Sequence, residues 1–171
     1  MKIAITGHPR VGKSTLVLRA VEQAPVSCGG MVTAEITKCG RRVGFSVRDL
    51  ATGHVGVLAH LHLADGPSFG RYRLNLPDLD AIGAGAIERA IEDADLVVVD
   101  EVGPMELASP RFVRAVERVL EEAPHFLITV HRSSNHALAY AVRHAADELF
   151  RLTRQNRDHV LAEVQRYLTE A

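Results

Sequence analysis

Residues 7–14 read Gly7-His8-Pro9-Arg10-Val11-Gly12-Lys13-Ser14, with an apolar run before them and a helix-forming segment after. A glycine, four residues and Gly-Lys-Ser in that context mark a phosphate-binding loop joining a buried strand to a helix, and few folds accommodate it. A triphosphate needs several backbone N–H donors converging on it, and glycines at both ends of a tight loop permit that close a wrap. Lys13 brings a point charge to the β- and γ-phosphates, Ser14 offers a hydroxyl to a magnesium ion, and a helix beginning near Lys13 directs its positive dipole end at the anion. Lys2–Thr6 is the expected strand, and Thr15 to Val21 continues as a helix with one apolar face.

At 171 residues the chain predicts a single domain large enough for a core without disulfides or a structural metal. A hydrophobic content of 47% with 24% charged residues belongs to an ordinary globular protein, and a net charge of -1 supplies no general attraction to nucleic acid or anionic membranes. The chain passes within a few residues of Met1 into the glycine loop, too soon for a signal peptide, and no apolar run is long enough to span a bilayer. A cytoplasmic location follows as the expectation. Cys28 and Cys39 lack ligand spacing with neighbouring histidines and read as free thiols, and His60-Leu61-His62 offers two imidazoles without a third ligand nearby.

After the first helix, Pro25 and Gly29-Gly30 interrupt the pattern. Three strand-like runs follow, 31–37, 43–49 and 54–59, separated by Cys39-Gly40 and Thr52-Gly53, and such close turns imply antiparallel pairing. A β-meander over about 31–60 is therefore expected as an insertion. Residues 61–77 look irregular, and helical periodicity returns from Asp78 to Asp93 with interruptions at Gly83 and Gly85. Beyond Asp95 the alternation is regular: strands at 95–100, 125–131 and 147–152, helices at 109–122, 135–146 and 156–169. This predicts an α/β fold with a mostly parallel sheet covered by helices on both faces.

Leu96 to Val99 is a continuous apolar run, as a doubly covered parallel strand requires, and it ends in Asp100 and Glu101. Ligands of open α/β sheets bind outside the carboxyl ends of the strands, where the glycine loop also lies. The pair therefore reads as a Walker B element, with Asp100 holding magnesium and Glu101 polarising a water against the γ-phosphate. Both acids serve one site only if the strand ends there, and Gly103-Pro104 favours that ending. Asp100 to Gly103 also fits the Asp-x-x-Gly of signalling GTPases, but no Asn-Lys-x-Asp motif accompanies it. A third apolar run, 127–130, ends in His131 and Arg132, where Arg132 can stabilise γ-phosphate charge or simply terminate the strand. Arg154, Asn156 and Arg157 open the last helix, at a place from which a base or ribose can be contacted.

The Gly7 to Thr15 loop, the run Asp100-Glu101-Val102-Gly103-Pro104-Met105-Glu106-Leu107, the Thr129 to Arg132 segment and Asn156-Arg157-Asp158 together resemble the small nucleoside-triphosphatase family known from thermophiles and, in animals, as the cancer-related nucleoside triphosphatase. Gly44-Phe45, Asp49-Leu50 with Thr52-Gly53, and Gly70-Arg71-Tyr72 with Asn75 extend the resemblance over nearly the whole chain. It implies a P-loop fold of the additional-strand, RecA-like type and slow, magnesium-dependent hydrolysis of ATP, GTP and other nucleoside triphosphates. Roles pass to Lys13, Ser14, Asp100 and Glu101 on the matching positions. Arg10 stands where the family usually has glycine, either touching phosphate or extending into solvent.

Two other functions share these motifs. A nucleotide or small-molecule kinase uses the same loop and metal, with Arg71, Tyr72 and Arg73 available to an acceptor. A nucleotide-gated RNA- or protein-binding module uses the meander as its contact surface, with Arg41-Arg42 and the same cluster supplying charge and stacking.

Overall fold

A computed structural model describes residues 1–170. One nine-stranded sheet carries the fold. Its strands are β1 (Lys2–Gly7), β2 (Cys28–Lys38), β3 (Arg41–Asp49), β4 (Val55–His60), β5 (Ser68–Phe69), β6 (Tyr72–Leu74), β7 (Leu96–Val102), β8 (Phe126–His131) and β9 (Glu148–Leu152), in the spatial order β5-β6-β4-β3-β2-β7-β8-β1-β9. β8 lies between β1 and β7, so an additional strand separates the glycine-loop strand from the acid-bearing strand, as expected of a RecA-like sheet. From β2 to β9 the pairing is parallel, and from β2 to β5 it is antiparallel.

The period of two along the central strands divides the core between two faces. Val97 and Val99 of β7, with Ile128 and Val130 of β8, pack under α3 (Gly85–Asp93), α4 (Pro110–Glu122) and α5 (Ala137–Ala145). Leu96, Val98 and Leu127 face the opposite way, under α1 (Lys13–Glu22) and α6 (Arg157–Glu170). Phe112 and Phe126 are fully buried on the first face, and truncating either to alanine would cost ~3–5 kcal/mol.

Two expectations are corrected. The meander is not set apart from the core, because the first half of β2 is itself a core strand, with Cys28 to Val32 pairing in parallel with Leu96 to Asp100. Gly29 and Gly30, expected to interrupt the chain, lie inside that strand. A side chain on Gly29 would come within 2.8 Å of the Ala90 methyl, and one on Gly30 within 2.0 Å of the Val98 carbonyl oxygen, so these glycines permit close approach of a helix and a neighbouring strand. The interruption expected around Gly83 and Gly85 is a change of helical period and not a break in the chain's helix. A short turn α2 (Leu76–Asp78) runs through π-helical Leu79–Ala84 directly into α3. Part of the irregular 61–77 stretch forms the β5–β6 hairpin, which extends the antiparallel half of the sheet.

Candidate functional site

β1 delivers the chain to the glycine loop, and Gly12, at φ 103°, turns it into α1 in a left-handed conformation that costs a glycine little. The first turn of α1 contains no acid, so its positive end meets no competing carboxylate. Lys13 is buried. Its Nζ donates to the carbonyls of Gly7 (3.2 Å) and His8 (3.3 Å) and lies 3.5 Å from Glu101 Oε2.

The two acids lie where β7 departs from regular pairing. Val99 is opposite Ile128 and Val102 opposite Val130, so β7 has one more residue than β8 over this stretch. That bulge, rather than an end to the strand, resolves the problem that neighbouring strand residues face opposite ways. Asp100 is fully buried and accepts from Thr129 Oγ1 at 2.6 Å, while its Oδ2 is buried with no hydrogen-bond partner among the described residues. Burial pushes its pKa up, opposed by the Thr129 and Ser14 hydroxyls and Lys13. Burial raises Glu101 as well, with Lys13 opposing and the Asp100 charge adding.

His131 closes β8 beside this group. Its Nδ1 accepts from the Ser133 amide at 3.3 Å, which leaves Nε2 to carry the proton of the neutral ring. Burial, then the Lys13 and Arg143 charges, lower its pKa and favour that neutral form. Lys13, Glu101 and His131 line a cleft of about 860 Å³ that runs from Pro9, Arg10 and Gly12 to Thr15 of α1 and, across the meander, to Arg42, Phe45 and Phe69.

A family model described as NTPase matches residues 2–165. The chain belongs to this NTPase family. The nucleoside-triphosphatase THEP1 of Methanosarcina acetivorans is 48% identical over 164 residues, spanning 94% of this chain and 92% of that protein. Among solved structures, the THEP1 crystal structure from Aquifex aeolicus superposes with a TM-score of 0.88 at 30% identity, covering 98% of this chain and 99% of that one. The solution structure of a human cancer-related nucleoside triphosphatase gives 0.77 at 29% identity, covering 99% and 98%.

Several residues singled out for this NTPase chain lie differently from what their sequence positions suggest. Arg132 is exposed at the strand end and rests against the His8 ring, outside the cleft. Arg10 borders the cleft with its side chain 66% exposed, and its Nε lies 3.3 Å from Glu35 Oε1, an oxygen that also receives Arg42 Nη1 at 2.9 Å. Arg10 holds φ 60°, the conformation a glycine adopts freely. Arg157 donates from Nε to the Val11 carbonyl at 2.7 Å, bracing the glycine loop from the start of α6, and Asn156 hydrogen-bonds Thr153 and the Arg151 carbonyl. Arg154 and Arg157 are both exposed. Arg71 and Arg42 both donate to the Tyr72 hydroxyl, and Arg73 donates to the Gly66 carbonyl, so the cluster assigned to an acceptor or RNA is occupied with its own chain. Sequence reasoning missed Glu106, which is buried, lines the cleft and has its pKa pushed up to about 8 by burial. Its sequence signal is its place at the end of the Asp100 to Leu107 run that carries the family resemblance, where no role was given to it. No helix among the described residues is long and apolar enough to cross a membrane.

Proposed function

We propose that this chain hydrolyses nucleoside 5'-triphosphates to the diphosphate and phosphate, with residues 1–171 acting as one catalytic unit. The observation that carries this reading is the Lys13–Glu101 pair at 3.5 Å, its lysine buried and its carboxylate partly so, set between the glycine loop and the β7 bulge, because it unites a phosphate-binding cation with a base in one cleft. Backbone amides from Gly7 to Thr15 cradle the phosphates, and Lys13 moves from the Gly7 and His8 carbonyls onto the β- and γ-phosphates. Glu101 accepts a proton from the water that attacks the γ-phosphorus.

Ser14 and Asp100 are the residues to hold Mg2+. The orphaned Asp100 Oδ2 fits that assignment, since a fully buried carboxylate oxygen without a donor is otherwise costly. When bound, the ion supplies charge neutralisation of the β- and γ-phosphate oxygens. His131, neutral and presenting Nε2–H, is better placed than Arg132 to hydrogen-bond the transferring phosphoryl group. ATP and GTP are both substrates in this reading.

Steady-state phosphate release from ATP and GTP tests the proposal. Glu101→Gln is expected to bind a fluorescent triphosphate analogue normally and to lose roughly 10²-fold or more in kcat. Near-normal turnover in that variant would remove Glu101 from the mechanism. Phosphate release only on adding an acceptor would favour a kinase instead.

A further inference from the structure

Glu106 follows the β7 bulge in a short 3-10 turn (Glu106–Ala108), and its side chain is 3% exposed although it borders the cleft. Lys13, the buried cation of the site, pairs with Glu101 and not with Glu106. Between the two acids lies Gly103. A methyl group there would fall 3.0 Å from Glu106 Oε2 and 3.4 Å from Glu101 Oε1, so both carboxyls border one small space that a glycine leaves open. Gly103 has no left-handed φ to explain its lack of a side chain. The space itself is the feature that needs a reason.

We propose that Glu106 is a second carboxyl of the hydrolytic centre, holding the attacking water jointly with Glu101 across the space beside Gly103. The inference rests on the assignment of Glu101 as the base. A water held in line needs both of its protons directed, because a freely rotating water presents its lone pair to phosphorus only part of the time. One proton goes to the Glu101 carboxylate as the oxygen bonds to the γ-phosphorus. The bond from that phosphorus to the β,γ-bridging oxygen breaks, and its electron pair leaves with the diphosphate. The second O–H remains on the new phosphate oxygen and donates throughout to the Glu106 carbonyl oxygen. An uncharged carboxyl suits this task beside Glu101 and Asp100, and burial keeps Glu106 in that form near neutral pH.

Glu106→Met and Glu106→Gln test the proposal as a pair, because they have similar volume and only glutamine retains a carbonyl acceptor. Expected is a loss of roughly 10- to 100-fold in kcat for Glu106→Met with KM within about 3-fold of wild type, while Glu106→Gln keeps kcat within about 3-fold. Gly103→Ala, which fills the space, is expected to lower kcat roughly 10-fold without weakening nucleotide binding. Thermal melts and binding of a fluorescent triphosphate analogue establish that each variant folds and binds. Wild-type kcat in Glu106→Met overturns the proposal, and so does an equal loss in Glu106→Met and Glu106→Gln. If Glu101→Gln turns over normally, the underlying assignment fails. If Glu101→Gln collapses while Glu106→Met and Gly103→Ala do not, only the role of Glu106 fails.

Discussion

The cleft has two walls of opposite electrostatic character. On the parallel side, Lys13, Asp100, Glu101 and Glu106 are buried or nearly so, and burial raises the pKa of all three acids. On the antiparallel side, Glu35 and Arg42 form an open chain of charges with Arg10, which reaches across from the glycine loop. There the push of partial burial on Glu35 is outweighed by Arg42 and Arg10, which hold its carboxyl below the ordinary range. The parallel wall holds charge in a state that a bound ligand would relieve. The antiparallel wall has already satisfied its charges. In the proposed reaction, chemistry belongs to the first wall and shaping of the cleft to the second.

The largest effect expected from that contrast is at Asp100. Asp100→Asn removes a charge that is fully desolvated and only partly hydrogen-bonded, so it should reduce turnover by roughly 10²- to 10³-fold. The same change should leave the ligand-free protein as stable as wild type or more so, because an isosteric neutral group relieves the desolvation cost. A melting temperature measured without nucleotide and with chelator, set beside phosphate release, separates the two effects. A strongly destabilised Asp100→Asn would make Asp100 a structural acid and erase the distinction between the walls.

An intermediate effect is expected from Glu106 on the pH dependence of stability. Its folded pKa of about 8 lies above the ordinary carboxyl value, so the unfolded chain releases this proton at lower pH than the folded one. The stabilising contribution is complete below the unfolded pKa and is lost as pH rises through about 8. Asp100, Glu101, Lys13 and His131 face the same region and titrate or carry charge alongside it. The comparison must therefore be between variants: wild type should lose melting temperature more steeply from pH 6 to 9 than Glu106→Gln. Parallel curves for the two proteins would show that Glu106 is ionised in the folded state.

What sequence reasoning reached follows the range of the interactions involved. The β1–loop–α1 unit and the alternation after Asp95 rest on local periodicity and turn chemistry, which are written in contiguous residues. Gly29 and Gly30 were misleading because their cause is distant: Ala90 and Val98 demand the missing side chains, and nothing adjacent says so. β5 and β6, at two and three residues, are too short to show a period. Asp100 and Glu101 were identifiable as a strand-end pair, but the bulge at that pair depends on register with β8. Arg132 illustrates the converse limit: its position at a strand end was readable, and its direction, onto His8, was not. Glu106 lies in the run that carries the family resemblance, but an acid after Gly-Pro-Met looks like an ordinary helix-start residue until its burial is known.

The smallest effects should come where the glycine loop meets the antiparallel wall, at Arg10. Glycine there would relieve a φ of 60°, a gain of up to ~1 kcal/mol that the greater freedom of glycine in the unfolded chain largely offsets. It would also remove the exposed contact with Glu35, where pairs of this kind contribute ~0–1 kcal/mol. Arg42 still holds Glu35 at 2.9 Å, so the carboxylate keeps a partner. Arg10→Gly should therefore change melting temperature by no more than a few degrees and kcat by less than about 3-fold. Salt should separate the two proteins, because the Arg10 contact is screened much more than the partly buried Lys13–Glu101 pair. Raising ionic strength from about 0.05 to 0.5 M should erase whatever difference exists between wild type and Arg10→Gly. A loss of turnover in Arg10→Gly that persists at high salt would place Arg10 on the phosphate during the reaction, and the antiparallel wall would then take part in the chemistry.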